Sequence, residues 1–112
     1  MKYDVFISYR RSGGEFLGML LKENLEHKGY RVFFDVEDMD SGMFSSQIQH
    51  VIEQAPDFII VLSGDALGKC TDSFDWMRLE IEWALGSGKN IIPVFTRDFT
   101  WPETLPKEIA AI

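Results

Sequence analysis

The sequence predicts a doubly wound α/β fold, a parallel sheet with helices on both faces. Three observations carry that prediction. Short runs of β-formers alternate with longer amphipathic segments in the order βαβαβαβ. The links are short, which calls for right-handed crossovers between neighbouring parallel strands. Two of the runs, Val5-Phe6-Ile7 and Phe58-Ile59-Ile60-Val61-Leu62, are continuously apolar, as in strands covered on both faces.

Each element has its own signal. Tyr3 to Tyr9 reads as the first strand and Arg10 to Glu15 as the loop after it. Ser12 and Glu15 have the S-x-x-E spacing of a capping box, so a helix is expected to begin there. Phe16, Leu17, Met19, Leu20, Leu21 and Leu25 would supply its buried face. Gly29 would end it, with His27 and Lys28 in the last turn where cations are favoured. Arg31 to Asp35 is a second strand. The loop from Val36 to Met43 follows the acid Asp35, adds Glu37, Asp38 and Asp40, and turns at Ser41-Gly42. A helix is expected from about Phe44 to Ala55, with Ile48, Val51 and Ile52 inward and Pro56 as the stop.

Phe58 to Ser63, the most apolar run, should be a central strand. After a loop from Gly64 to Thr71 comes a helix around Trp76 to Leu85. Ser73 or Asp75 can cap it, Leu79, Trp83 and Ala84 form an apolar stripe, and Gly86 can close it. Asn90 to Phe95 is the fourth strand. Pro93 cannot donate to a ladder, which places it at an edge, a bulge or a strand end. Beyond Thr96, Leu105, Ile109 and Ile112 have helical spacing.

Bulk properties bound the function. A chain of 112 residues, 46% hydrophobic and 26% charged, suits one domain with a true core. A formal net charge of −7 argues against nucleic-acid or anionic-membrane partners, since both reward phosphate neutralisation. The single cysteine, Cys70, rules out an internal disulfide and a zinc site built of thiolates, and a reducing compartment fits it. No run approaches the roughly 18 apolar residues of a membrane span. Met1-Lys2-Tyr3-Asp4 enters a strand at once, so no signal peptide is expected and the cytoplasm is the expected location.

In doubly wound sheets ligands sit outside the carboxyl ends of the strands. The loops at that edge begin at Arg10, Asp35, Ser63 and Thr96, and the helix carrying Trp76 starts there too. A basic pair, an acidic loop and a helix start therefore converge on one crevice. Trp76 and Glu80 are four apart and share a helix face, where a carboxylate beside an indole can grip a small, flat cation. An ordinary half-buried helix would also carry such a pair. Glu82 points elsewhere on the helix and serves as a comparison residue. Other nucleotide folds fit poorly. Gly86-Ser87-Gly88-Lys89-Asn90 lies between helix and strand, the reverse of a P-loop, and ends in Asn. Gly13 to Gly18 lacks dinucleotide-fingerprint spacing. The third strand ends in Leu62-Ser63 instead of a receiver-type Asp. His27 and His50 stand alone in helix patterns and read as surface residues.

Across nearly its whole length the chain resembles a TIR (Toll/interleukin-1 receptor) domain. The likeness rests on Tyr3 to Arg11, Gly29 to Asp35, Ser41-Gly42-Met43-Phe44, Phe58 to Ser63 and Gly88 to Pro93. Asp75-Trp76-Met77-Arg78-Leu79-Glu80 is similar to the W-x-x-x-E motif of the NAD-cleaving branch, found in bacterial defence proteins and the axon-degeneration NADase. The resemblance implies a flavodoxin-like sheet in the order 2-1-3-4(-5), here a single TIR domain over residues 1–112. The fifth strand and last helix of the family are expected to be missing, which would expose the fourth strand's edge.

The implied activity is NAD+ nucleosidase, cleavage of the nicotinamide–ribose bond, within a self-assembling immune or cell-death effector. NAD+ is then substrate, and neither a metal nor a separate cofactor is expected. The resemblance makes Glu80 the catalytic carboxylate. It makes Trp76, Tyr9 and Phe44 packing or stacking partners of the substrate, Arg10 and Arg11 partners of its pyrophosphate, and Asp35 part of the substrate crevice. The loop carrying Asp38, Asp40 and Gly42 becomes an interaction loop between TIR copies, and a fused sensor domain is expected in the native protein. One carboxylate can suffice, because nicotinamide leaves a pyridinium as a neutral molecule without a general acid, unlike the leaving groups of typical glycosidases. The alternative is a non-catalytic adaptor using the same surfaces. A third reading is a related glycosyl-transfer or nucleotide-cyclising activity.

Overall fold

The computed structural model describes residues 2–34, 45–71 and 76–107. Four strands, β1 (Val5–Ser8), β2 (Val32–Phe33), β3 (Asp57–Leu62) and β4 (Asn90–Phe95), form one sheet in the order β2-β1-β3-β4. All three pairings are parallel, with Val5 opposite Val32, Phe6 opposite Phe58 and Ile60 opposite Pro93. The helices are α1 (Arg11–His27), α2 (Ser45–Gln54) and α3 (Trp76–Gly86), with a short 3-10 helix at Gly68–Thr71. Pro93 lies in β4, an edge strand among the described residues, where its missing N–H is tolerated.

Strand alternation sorts the core into two faces. Phe6, Phe58, Ile60 and Leu62 point to the side covered by α2 and α3, and meet Ile48, Ile52, Met77, Ile81 and Ala84. Phe6 stacks on Phe33 at 5.0 Å and on Phe58 at 5.4 Å, an aromatic row across β2, β1 and β3. Val5, Ile7, Ile59 and Val61 point the other way, toward Leu17, Leu21 and Leu25 of α1.

The structure corrects several local expectations. α1 begins at Arg11, within one residue of the expected start at Ser12, but its N-cap is the extended Arg10, which makes no side-chain cap bond; the Ser12 side chain lies outside the described residues. The chain passes from β1 into α1 almost without a loop, so the helix start is set by the strand. The buried face of α1 is also narrower than expected. Leu17, Leu21 and Leu25 follow an i, i+4, i+8 row onto the sheet. Phe16, Met19 and Leu20 lie off that row and are exposed, Phe16 at 90%. A single helix laid on a narrow sheet needs only one stripe.

Gly18 is buried within that stripe because the Phe34 ring lies against it, and an added Cβ would fall 2.6 Å from Phe34 Cε2. In α3 the core stripe is Met77, Ile81 and Ala84, with Leu79 and Trp83 only half-buried. The left-handed residue closing α3 is Gly88 (φ 67°), two positions beyond Gly86, with Lys89 N–H donating to Ala84 O at 3.1 Å. The proposed caps Ser73 and Asp75, the acidic loop through Phe44, and Ile109 and Ile112 of the tail lie outside the described residues.

Candidate functional site

The same alternation that builds the core divides the residues leaving β1. Ser8 follows Phe6 onto the α3 side, and Arg10, still extended at φ −90° and ψ 133°, keeps to that side. Tyr9 follows Val5 and Ile7 onto the α1 side, where its ring stacks on Phe34 at 4.4 Å. Tyr9 and Arg10, neighbours in sequence, are therefore delivered to opposite faces of the sheet.

Glu80 is the unusual residue of α3. It sits among the core-facing positions Met77, Ile81 and Ala84 and is only 5% exposed. Isolated buried carboxylates are costly, so they are held by hydrogen bonds. Here Ser8 Oγ donates to Glu80 Oε1 at 3.0 Å, and Ser8 is itself 1% exposed. The bond joins the carboxyl end of a central strand to the first turns of α3. It places a carboxylate where parallel sheets hold their ligands.

A second set of bonds holds the adjoining turn. Arg10 Nε donates to Ala66 O at 2.9 Å, and Nη2 approaches Cys70 Sγ at 3.5 Å. Arg78 Nη1 donates to Cys70 O at 3.2 Å, while its Nε pairs with Glu82 at 3.1 Å. The turn after β3 is thus gripped by guanidinium groups from the β1–α1 junction and from α3. Arg10 is directed at the protein's own backbone in this structure. Glu82 is tied to Arg78, so it is not the indifferent comparison residue expected from its place on the helix. Cys70 is fully buried beneath the same turn.

The chain beyond β4 braces this turn from outside. Asp98 accepts from Gly64 N–H at 3.3 Å and from the Thr96 hydroxyl, and Thr100 N–H donates to Gly64 O at 2.8 Å. The Thr96 hydroxyl, followed by the Gly64 N–H, holds the Asp98 carboxyl below its ordinary value of 3.8. On the other face, Ser63 at the end of β3 is 4% exposed and its Oγ has no hydrogen-bond partner among the described residues. It lies under the first turn of α1, where a Cβ on Gly14 would come within 3.3 Å of it.

Among the predicted site residues, the structure brings Glu80 and Arg10 to one side of the sheet, with Tyr9 on the other. Asp35, Asp38, Asp40, Gly42 and Phe44, and the side chains of Arg11 and Trp76, lie outside the described residues. The backbone of Trp76 opens α3 one turn before Glu80. Sequence reasoning missed Ser8. Its signal was a polar residue closing an otherwise apolar strand, in phase with Phe6. Among the described residues no group of three or more metal-ligating side chains occurs, and no helix is long and apolar enough to cross a membrane.

A buried carboxylate with one oxygen held by a hydroxyl can accept hydrogen bonds from a polyol. It can also face a developing positive charge in a site of low dielectric. The family model described as "TIR domain" matches residues 5–112.

The chain belongs to the TIR domain family.

Its curated relatives include the NAD(+) hydrolase sarm1 of Drosophila melanogaster, 44% identical over 114 residues that cover 97% of this chain. NAD(+) hydrolase SARM1 of Danio rerio is also 44% identical over 97% of this chain, and NAD(+) hydrolase tir-1 of Caenorhabditis elegans 40% identical over 97%. This TIR domain spans only 8%, 16% and 12% of those three proteins' lengths. Among solved structures, the TIR domains of the activated Roq1 resistosome superpose with a TM-score of 0.63 at 26% identity, covering 84% of this chain and 57% of that one. The TIR domain of the Toll-related receptor TRR-2 from Hydra magnipapillata superposes with a TM-score of 0.69 at 24% identity. It covers 91% of this chain and 77% of that one, and speaks to the fold alone.

Proposed function

We propose that this TIR domain is an NAD+ nucleosidase, releasing nicotinamide and yielding ADP-ribose or a cyclic ADP-ribose product. The observation that carries the reading is Glu80, a carboxylate buried at the ligand edge of the sheet and held by Ser8. Relatives bearing the name NAD(+) hydrolase at 40–44% identity support it. Glu80 accepts the ribose hydroxyls and stabilises the oxocarbenium-like transition state as neutral nicotinamide departs. Trp76 packs against the nicotinamide ribose, with Phe44 and Asp35 lining the crevice and Arg11 on the pyrophosphate. Arg10 supports that wall from behind through Ala66 and Cys70. The loop of Asp38, Asp40 and Gly42 makes contacts between TIR copies. The domain acts in the cytoplasm as the self-assembling effector of a longer protein that carries the sensor.

Nicotinamide release from NAD+ over a range of protein concentrations tests this reading, with Glu80→Ala and the exposed-site control Glu53→Gln alongside. Wild type and the control release nicotinamide, with turnover per molecule rising with concentration, and Glu80→Ala does not. Silence of the wild type, even when tethered to an oligomeriser, would leave the adaptor reading. One observation favours assembly under either reading: Phe16, Met19 and Leu20 form an exposed apolar face on α1.

A further inference from the structure

The strand-to-helix bond from Ser8 to Glu80 has a role of its own. We infer that Ser8 is the positioning residue of the nucleosidase: its hydroxyl sets the orientation of the Glu80 carboxylate that meets the sugar. This inference rests on the proposed activity and names a residue that the W-x-x-x-E motif does not contain.

A glutamate side chain has three rotatable bonds, and a carboxylate that must face the reaction centre loses effectiveness if it samples several rotamers. Helix packing fixes the Cα of Glu80, between Met77 and Ala84 on the core stripe, but leaves the carboxylate to be oriented by its hydrogen bonds. Ser8 is well suited to that task. It closes β1, which pairs with β3 along its whole length and with β2 at Val5 and Phe6. Its backbone is held in register opposite Ile60, and its side chain is 1% exposed, so the hydroxyl has little freedom to move. The 3.0 Å bond to Oε1 is thus made from a buried strand residue, paired with β3, to the tip of a flexible side chain. A hydroxyl donating to an ionised oxygen makes a charge-assisted bond, stronger than a neutral one. It also leaves the reaction to a carboxylate whose plane is already chosen.

The position is unusual for a strand. Every other residue of β1 is apolar and buried, and Phe6, two residues earlier on the same face, stacks into the aromatic row. A serine at that point gives up apolar packing for one hydrogen-bond donor, and that donor is used on Glu80.

The test compares Ser8→Ala, Ser8→Cys, Ser8→Thr and Ser8→Val, with kcat and KM for NAD+ measured at one protein concentration. Threonine and valine have nearly the same shape and differ in the hydroxyl, so that pair separates donor from packing. Folding of each variant is read by near-ultraviolet circular dichroism. Ser8→Ala is expected to lower kcat by about 10- to 100-fold with KM changed less than about threefold. Ser8→Thr is expected to keep at least about tenfold more activity than Ser8→Val, with the weak donor of Ser8→Cys in between. Equal activity of the threonine and valine variants, or a loss confined to KM, would overturn the inference while leaving the nucleosidase standing. If Ser8→Ala does not fold, the threonine–valine comparison decides alone. Wild-type silence would overturn both readings. Wild-type activity that Glu80→Ala abolishes and Ser8→Ala leaves intact would overturn only this one.

Discussion

Arg10 separates two accounts of the basic pair that follows β1. If Arg10 is a substrate ligand, its replacement should damage NAD+ binding and spare the fold. The structure argues the reverse. Its Nε donates to Ala66 O at 2.9 Å, and Ala66 is only 3% exposed. Removing the guanidinium leaves that carbonyl short of its charged donor, a loss of roughly 1.5–3 kcal/mol. The contact to Cys70 Sγ at 3.5 Å adds little, because sulfur is a weak acceptor. Arg10→Ala is therefore expected to cost about 2 kcal/mol, which for a domain of this size lowers Tm by roughly 8 °C. Arg10→Lys should recover less than half of it, since an ammonium on a flexible stem cannot reproduce the fork. Because the turn that Arg10 grips also receives Arg78 from α3, turnover should fall while KM stays within about threefold. Thermal unfolding and steady-state kinetics on the same preparations measure both. A Tm within about 1 °C of wild type, together with a KM raised more than tenfold, would refute the reasoning and return Arg10 to the substrate.

Ser63→Ala removes a buried hydroxyl that has no partner among the described residues, so it is expected to raise stability by about 1 kcal/mol in denaturant titration. A loss of that size would mean that Ser63 has a partner in solution. Asp98→Asn should lower stability at neutral pH and converge with wild type in acid. The folded carboxyl is held below 3.8, so its contribution is complete above that value and disappears as pH falls through the lowered folded value. Melting curves from pH 7 to pH 2 that stay parallel would contradict this. Glu80→Gln keeps the shape and an oxygen for Ser8 but removes the charge. It should abolish nicotinamide release while leaving Tm unchanged or higher, and a loss above about 3 kcal/mol would make Glu80 a structural carboxylate.

Much of the fold was legible because it depends on patterns that survive in one dimension. Parallel strands buried on both faces appear as apolar runs, and β4 was bounded at Asn90 and Phe95 from sequence alone. Helix faces were harder to read. Leucine-rich α1 offered several possible stripes, and which one met the sheet depended on Gly18 admitting Phe34, a contact between distant segments. The start of α1 was legible to within one residue, but its N-cap was not: β1 delivers the chain extended through Arg10, which takes the cap position. At the site, Glu80 was legible as part of a motif. Its burial was not, since a carboxylate in a helix pattern normally faces water. Ser8 required knowing which residue would stand opposite it.

The position of Glu80 is itself an argument about function. On a stripe where Met77, Ile81 and Ala84 are all buried, an apolar side chain would pack without desolvating a charge. A carboxylate there costs stability unless its bonds repay it, and replacing buried charged groups with apolar ones is often neutral or stabilising. The adaptor reading needs surfaces, and none of the exposed apolar residues of α1 depends on Glu80. A catalytic reading does explain the placement, because a carboxylate shielded from water acts more strongly on a developing cation than one on the surface. Ser8 fits the same reading: a second core position, at the end of the central strand, is given to a donor aimed at that carboxylate. Two core positions given to a hydrogen-bonded hydroxyl and carboxylate, at the edge where such sheets bind ligands, are better explained by chemistry than by stability.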